Sequence, residues 1–172
     1  MNIILRTLAG TACLAALSLG PAAAQVQQSG YRLPLALAIE AAQEAIRSCE
    51  ASGYRVSVSV VDTSGVVLVQ ARGDHSTIHT EHSSFRKAYT VVTLGPIFRF
   101  QTSSAFAALV AGNPNGPGLV SLPNIIPLAG AVAIRRGEEV VAAIGVGGAP
   151  GGDRDEVCAQ AGVARIAARV AG

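Results

Sequence analysis

Apolar residues recur every three to four positions through residues 34 to 52, PLALAIEAAQEAIRSCEAS, and this interval predicts an amphipathic helix that Pro34 opens and Gly53 stops. Its apolar stripe runs through Ile39, Ala42, Ile46 and Cys49. The period then drops to two. In RVSVSVV, Val56, Val58 and Val60 alternate with Arg55, Ser57 and Ser59, and Asp62-Thr63-Ser64-Gly65 turns the chain into VVLVQAR. This predicts a hairpin with one buried face. A loop follows, then a helix over about residues 81 to 93, with Thr80 as its cap, Gly95-Pro96 as its terminator, and a stripe of Phe85, Ala88, Tyr89 and Val92.

SSAFAALVA predicts a further helix, and NPNGPGLVSLPN reads as an irregular loop long enough to form the lip of a pocket. AVAIRR and EVVAAIGV form a second hairpin around Gly137. DRDEVCAQAGVARIAARVA closes the chain as a helix whose Ala159, Gly162 and Ala167 permit close packing. Helix, hairpin, helices, hairpin, helix specifies an α+β domain in which helices cover an antiparallel sheet.

The first residues do not belong to that pattern. A basic start at Arg6, a short apolar run and the small-residue exit Ala22-Ala23-Ala24 predict a signal peptide over residues 1–24, cleaved before Gln25. The protein is therefore expected in the periplasm or secreted, as a single domain over residues 25–172. Gly10, Thr11 and Ala12 lack the large aliphatic residue that precedes a lipidated cysteine, so Cys13 does not point to a lipoprotein. No later stretch is long and apolar enough for a membrane helix.

With Arg6 removed, twelve basic residues face eleven acidic ones. A balance so near neutrality argues against nucleic acid as a partner, because Arg135 and Arg136 are followed at once by Glu138 and Glu139. Cys49 and Cys158 remain after cleavage. In an oxidising compartment an even pair favours a disulfide over two buried thiols, and so long a loop would contribute about 4 to 5 kcal/mol.

The run IGVGGAPGGDRDE has the order strand, glycine loop, helix start. Its Asp153, Asp155 and Glu156 repel phosphate, so a tight turn is the better reading than a dinucleotide site. No G-x-S-x-G elbow is present, and Ser83 or Ser84 beside His82 is only sequence proximity. Lys87 is the only lysine, and a covalent role for it competes with the ordinary solvated state of a lysine on a helix surface.

All three histidines, His75, His79 and His82, lie within eight residues. Neutral imidazole serves both as a metal ligand and as an axial ligand of haem iron. A bare zinc site asks for more ligands than His79 and His82 supply, and Glu81 points off their face. Haem ligation, an isolated metal site and a polar surface cluster all stay open on this pattern.

The stretches AIEAA, VSVSVVDTSG, HSSFRKAYT, IPLAGAVAI, EEVVAAIGVGGA and GGDRDEVCAQAG, in that order and spacing, resemble the GlcG/HbpS-like haem-binding family, also labelled haem-degrading. The resemblance implies a profilin-like antiparallel β-sheet flanked by α-helices, homo-oligomers, and a role in binding haem or a related tetrapyrrole such as a corrinoid. A similar subgroup carries a His-Thr pair like His79-Thr80 and cysteines like Cys49 and Cys158. The resemblance makes His79 the expected iron ligand and His82 the second choice, with Arg86, Tyr89 or Arg99 near the porphyrin or its propionates. Gln101 departs from the family pattern F-R-x-P-T, where proline stands. The expected function is haem binding for storage or sensing. The alternatives are an enzyme acting on haem or a small molecule, and a ligand-free oligomeric accessory protein.

Overall fold

The structure, a computed structural model, describes residues 29–171, so the expected leader and its cleavage point lie outside the described residues. Helix α1 spans Leu35–Ala51, and strands β1 (Ser57–Asp62) and β2 (Val67–Arg72) form the first hairpin. Helices α2 (His79–Phe98), α3 (Ser103–Ala111) and α4 (Gly116–Val120) follow. Strands β3 (Ala131–Arg136) and β4 (Glu139–Gly147) form the second hairpin, and α5 (Gly152–Ala171) closes the chain. The four strands make one antiparallel sheet in the order β2-β1-β4-β3. This is the α+β architecture the pattern specifies.

Two apolar clusters lie on opposite faces of the sheet. On one face Val58, Val60, Ile144 and Val146 pack against Ala38, Ala42 and Ala45 of α1 and Cys158, Ala159 and Ile166 of α5. On the other, Ala131, Ala133 and Ala143 meet Ala88, Val91 and Val92 of α2 and Phe106 of α3. The sheet is therefore covered twice, and the one-faced hairpin expected for β1 needs correction. Ser57 and Ser59 are fully buried. Their hydroxyls meet α2, Ser57 with Thr80 at 2.8 Å and Ser59 with Ser84 at 2.8 Å. Hydroxyl partners replace water, so the alternation of Val with Ser records two different buried surfaces.

The strand residues paired with those serines are Gly147 and Gly145. A Cβ on Gly145 would collide with the Ser84 carbonyl, and one on Gly147 with the Ser83 hydroxyl. The glycines of IGVGG thus let α2 lie close on the sheet.

Helix α2 is longer at both ends than its pattern predicts. Thr80 is its second residue rather than its cap, and Ile78 stands at the cap position without a side-chain bond. The Thr80 hydroxyl donates to the Thr77 carbonyl at 2.6 Å and also joins Ser57 and Ser76. Gly95-Pro96 does not end the helix. A Cβ before proline normally disfavours helical geometry, and Gly95 has none. The helix stops at Arg99, which takes a left-handed conformation with φ 59° and sends its N–H to the Gly95 carbonyl.

Two smaller corrections follow. Part of the expected irregular loop is helical as α4, where a proline in the first turn loses no intrahelical bond. Ile39 is exposed, and the buried face of α1 consists of Ala38, Ala41, Ala42, Ala45 and Cys49. Helix α5 approaches α1 too closely for larger side chains. The disulfide expected between Cys49 and Cys158 is present and joins these two helices across 109 residues of sequence. Thr102 caps α3 by accepting the Ala105 N–H, so Gln101 in place of proline leaves that helix start intact. Among the described residues, no helix is long and apolar enough to cross a membrane.

Candidate functional site

Three side chains at intervals of four residues on α2, His79, Ser83 and Lys87, share one face of the helix and line one cleft. Pro127, Leu128 and Ala129 form its opposite wall, and Gly148, Ala149, Gly152 and Asp155 close the end beneath α5. The volume is about 350 Å³. His79 is exposed at the rim and makes no hydrogen bond among the described residues.

Lys87 forms the polar part of the floor. It is 4% exposed, and its ammonium donates to Asp155 Oδ2 at 2.7 Å and to the Val146 carbonyl at 2.9 Å. Asp155 is 2% exposed and accepts the Ala149 N–H at 2.9 Å through its other oxygen. Burial pushes the Asp155 carboxyl above its ordinary value, and the Lys87 charge and the hydrogen bonds pull against that rise. A lysine solvated on a helix surface is therefore not what the fold contains.

The other residues singled out from the sequence do not join His79. His82 lines a separate shallow pocket of about 220 Å³ with Val67, Gln70, Glu81 and Phe85. Arg86 donates to the Ile125 carbonyl at 2.7 Å, which ties the loop before β3 to α2. Tyr89 packs against the turn at Gly65 and lies 5.6 Å from the Phe85 ring. Arg99, at the far end of α2, lines a third pocket with Arg135 and Glu138. Of the five, His79 alone opens on the cleft that contains Lys87.

Lys87, Asp155 and Ser83 had not been singled out as binding residues. The spacing of four between His79, Ser83 and Lys87 was visible, but the contact with Asp155 spans 68 positions and has no local signature. Among the described residues no group of three or more His, Cys, Asp and Glu side chains could hold a metal ion. His79 therefore presents its imidazole to the cleft alone.

The fold has solved counterparts. HbpS is 38% identical with a TM-score of 0.72, over 81% of this chain and 92% of that chain. Klebsiella pneumoniae protein ORFY, a DUF336 protein, is 25% identical with a TM-score of 0.72, over 83% and 94% of the two chains. PduOC, solved as a haem complex, is 20% identical with a TM-score of 0.68 over 79% and 96%, a likeness of fold. No curated protein matches significantly. Residues 33–164, most of the described chain, match the sequence profile described as haem degrading protein, HbpS-like. The chain belongs to this HbpS-like family.

Proposed function

We propose that the protein binds haem at the cleft beneath α2, with His79 as the axial ligand of the iron. The observation that carries this reading is the unpaired, exposed imidazole of His79 on the rim of a cleft walled by Pro127, Leu128, Ala129 and Ala149. Imidazole beside apolar surface is the chemistry a metalloporphyrin face needs. The family description and the haem complex of PduOC support the same ligand class. Bound haem would supply a redox-active iron centre.

The residues fit one part of the ligand well. A cleft of about 350 Å³ lies at the small end of the range for ligand sites, roughly 300 to 1,000 Å³, so it covers only part of a porphyrin. The remainder would rest against a second copy of the chain in a homo-oligomer. Export through the leader over residues 1–24 would make this a periplasmic or secreted protein that stores or senses haem.

Hemin titrated into the purified protein should give a shifted Soret band with saturable binding. His79→Ala should weaken that binding at least tenfold and change the spectrum, and His82→Ala should leave both near wild type. An unchanged spectrum on adding hemin to the wild type overturns the reading. The family description favours a second one, in which the bound haem is degraded. Loss of the Soret band with iron release under reductant would select it, and a stable complex would reject it.

A further inference from the structure

The buried pair at the floor of the cleft does more than the fold asks of it. Two well-packed apolar side chains would hold α2 to α5 about as well as an ion pair, so stability alone gives a weak account of Lys87 and Asp155. An ammonium carries three donors. Two are committed, to Asp155 Oδ2 at 2.7 Å and to the Val146 carbonyl at 2.9 Å. One remains on a side chain that lines the cleft.

A second set of donors lies beside it. Helix α5 is 20 residues long and begins at Gly152, which lines the same cleft. The N–H groups of Gly152 and Asp153 meet no acceptor among the described residues, although those of Gly151, Arg154 and Asp155 do. Of the two, Gly152 lines the cleft, so the floor brings one uncommitted N–H at the positive end of α5 beside the third Lys87 donor. Neither Arg86 nor Arg99 reaches it.

We propose that the floor of this cleft is a carboxylate subsite, in which the remaining Lys87 proton and the Gly152 N–H receive one carboxylate arm of the ligand. The proposal rests on the haem reading for the identity of the ring to which that arm belongs, and it places a propionate at Lys87 instead of at an arginine. Asp155 and Asp153 limit the charge the subsite accepts. A planar monoanion meets enough donors there, and a phosphate dianion is repelled by the two carboxylates in the first turn of α5.

The test compares hemin with its dimethyl ester, in which both propionates are neutral, on the same purified protein. The wild type should bind hemin at least tenfold more tightly than the ester. In Lys87→Met/Asp155→Asn, which removes both charges together and keeps an acceptor for the Ala149 N–H, that preference should fall to within about twofold. The ester's Soret shift should persist. Equal binding of acid and ester by the wild type overturns the subsite, whatever the variant does. Full preference retained by a folded variant also overturns it. A wild type that shifts the Soret band of neither ligand overturns the haem reading and this subsite together, whereas equal Soret shifts with acid and ester overturn the subsite alone.

Discussion

Lys87→Met removes a cation and keeps most of the side chain's length. Lys87 and Asp155 are 4% and 2% exposed, with their charged atoms 2.7 Å apart, so the substitution leaves a carboxylate in the interior with only the backbone N–H groups of Gly148 and Ala149 for company. Removing one partner of a buried pair costs about 3–5 kcal/mol. For a domain of this size that is a fall of roughly 8 to 16 °C in Tm. Adding Asp155→Asn should recover most of the loss, because the stranded charge disappears and the Ala149 N–H keeps an acceptor. The pH dependence follows from the carboxyl. Burial already holds Asp155 above its ordinary value of 3.8, and without Lys87 it rises further. A carboxyl raised on folding contributes stability in full below its unfolded value, and that contribution is lost as pH rises through the folded value. The deficit of Lys87→Met against wild type should therefore be small near pH ~4 and grow toward neutrality. Urea unfolding of both proteins across this range, with the disulfide intact, measures it. A deficit below about 1 kcal/mol at neutral pH, or one that stays the same at every pH, refutes the stranded-charge account.

Cys49→Ser/Cys158→Ser should lower the unfolding free energy by about 4 to 5 kcal/mol, since the bridge closes a loop across 109 residues, and reduction of the wild type should reproduce the loss. Identical midpoints with and without reductant would rule out that contribution. Gly162→Ala should destabilise despite alanine's better helix propensity. Its Cβ would lie 2.5 Å from the Ala41 carbonyl oxygen and 2.9 Å from Ile144 Cδ1, an overpacking of about 1–3 kcal/mol against a propensity gain of about 1 kcal/mol. A higher Tm in the variant would show that α1 and α5 are not packed this closely.

The longer helices and both hairpins were legible because each carries its own period, whereas the five-residue α4 is too short to show one. Pro34 and Gly53 frame α1 and Gly137 turns the second hairpin, all from local chemistry. The errors fall where a long-range partner overrides a local signal or where two local signals compete. Ser57 and Ser59 look solvated until α2 brings Thr80 and Ser84 to them. Gly95-Pro96 looks like a helix end, yet the glycine removes the clash that would have made it one.

The candidate site was legible in one half only. Its exposed half, His79, stands out because imidazole is scarce in this chain and is gathered in one short stretch. Its buried half is Lys87 with Asp155, and neither residue type marks itself as interior. Lysine on a helix ordinarily reaches water, and aspartate in a first helical turn ordinarily serves the helix dipole. Only the close seating of α2 on Gly145 and Gly147 forces Lys87 inward, and only the return of α5 over β4 supplies the counter-charge. The glycines that looked like a phosphate loop are thus what bring the lysine into the cleft. Alanine at Gly145 should disturb the ion pair before it disturbs the strands, because its Cβ would collide with the Ser84 carbonyl and the Ala88 N–H of α2 and not with the sheet.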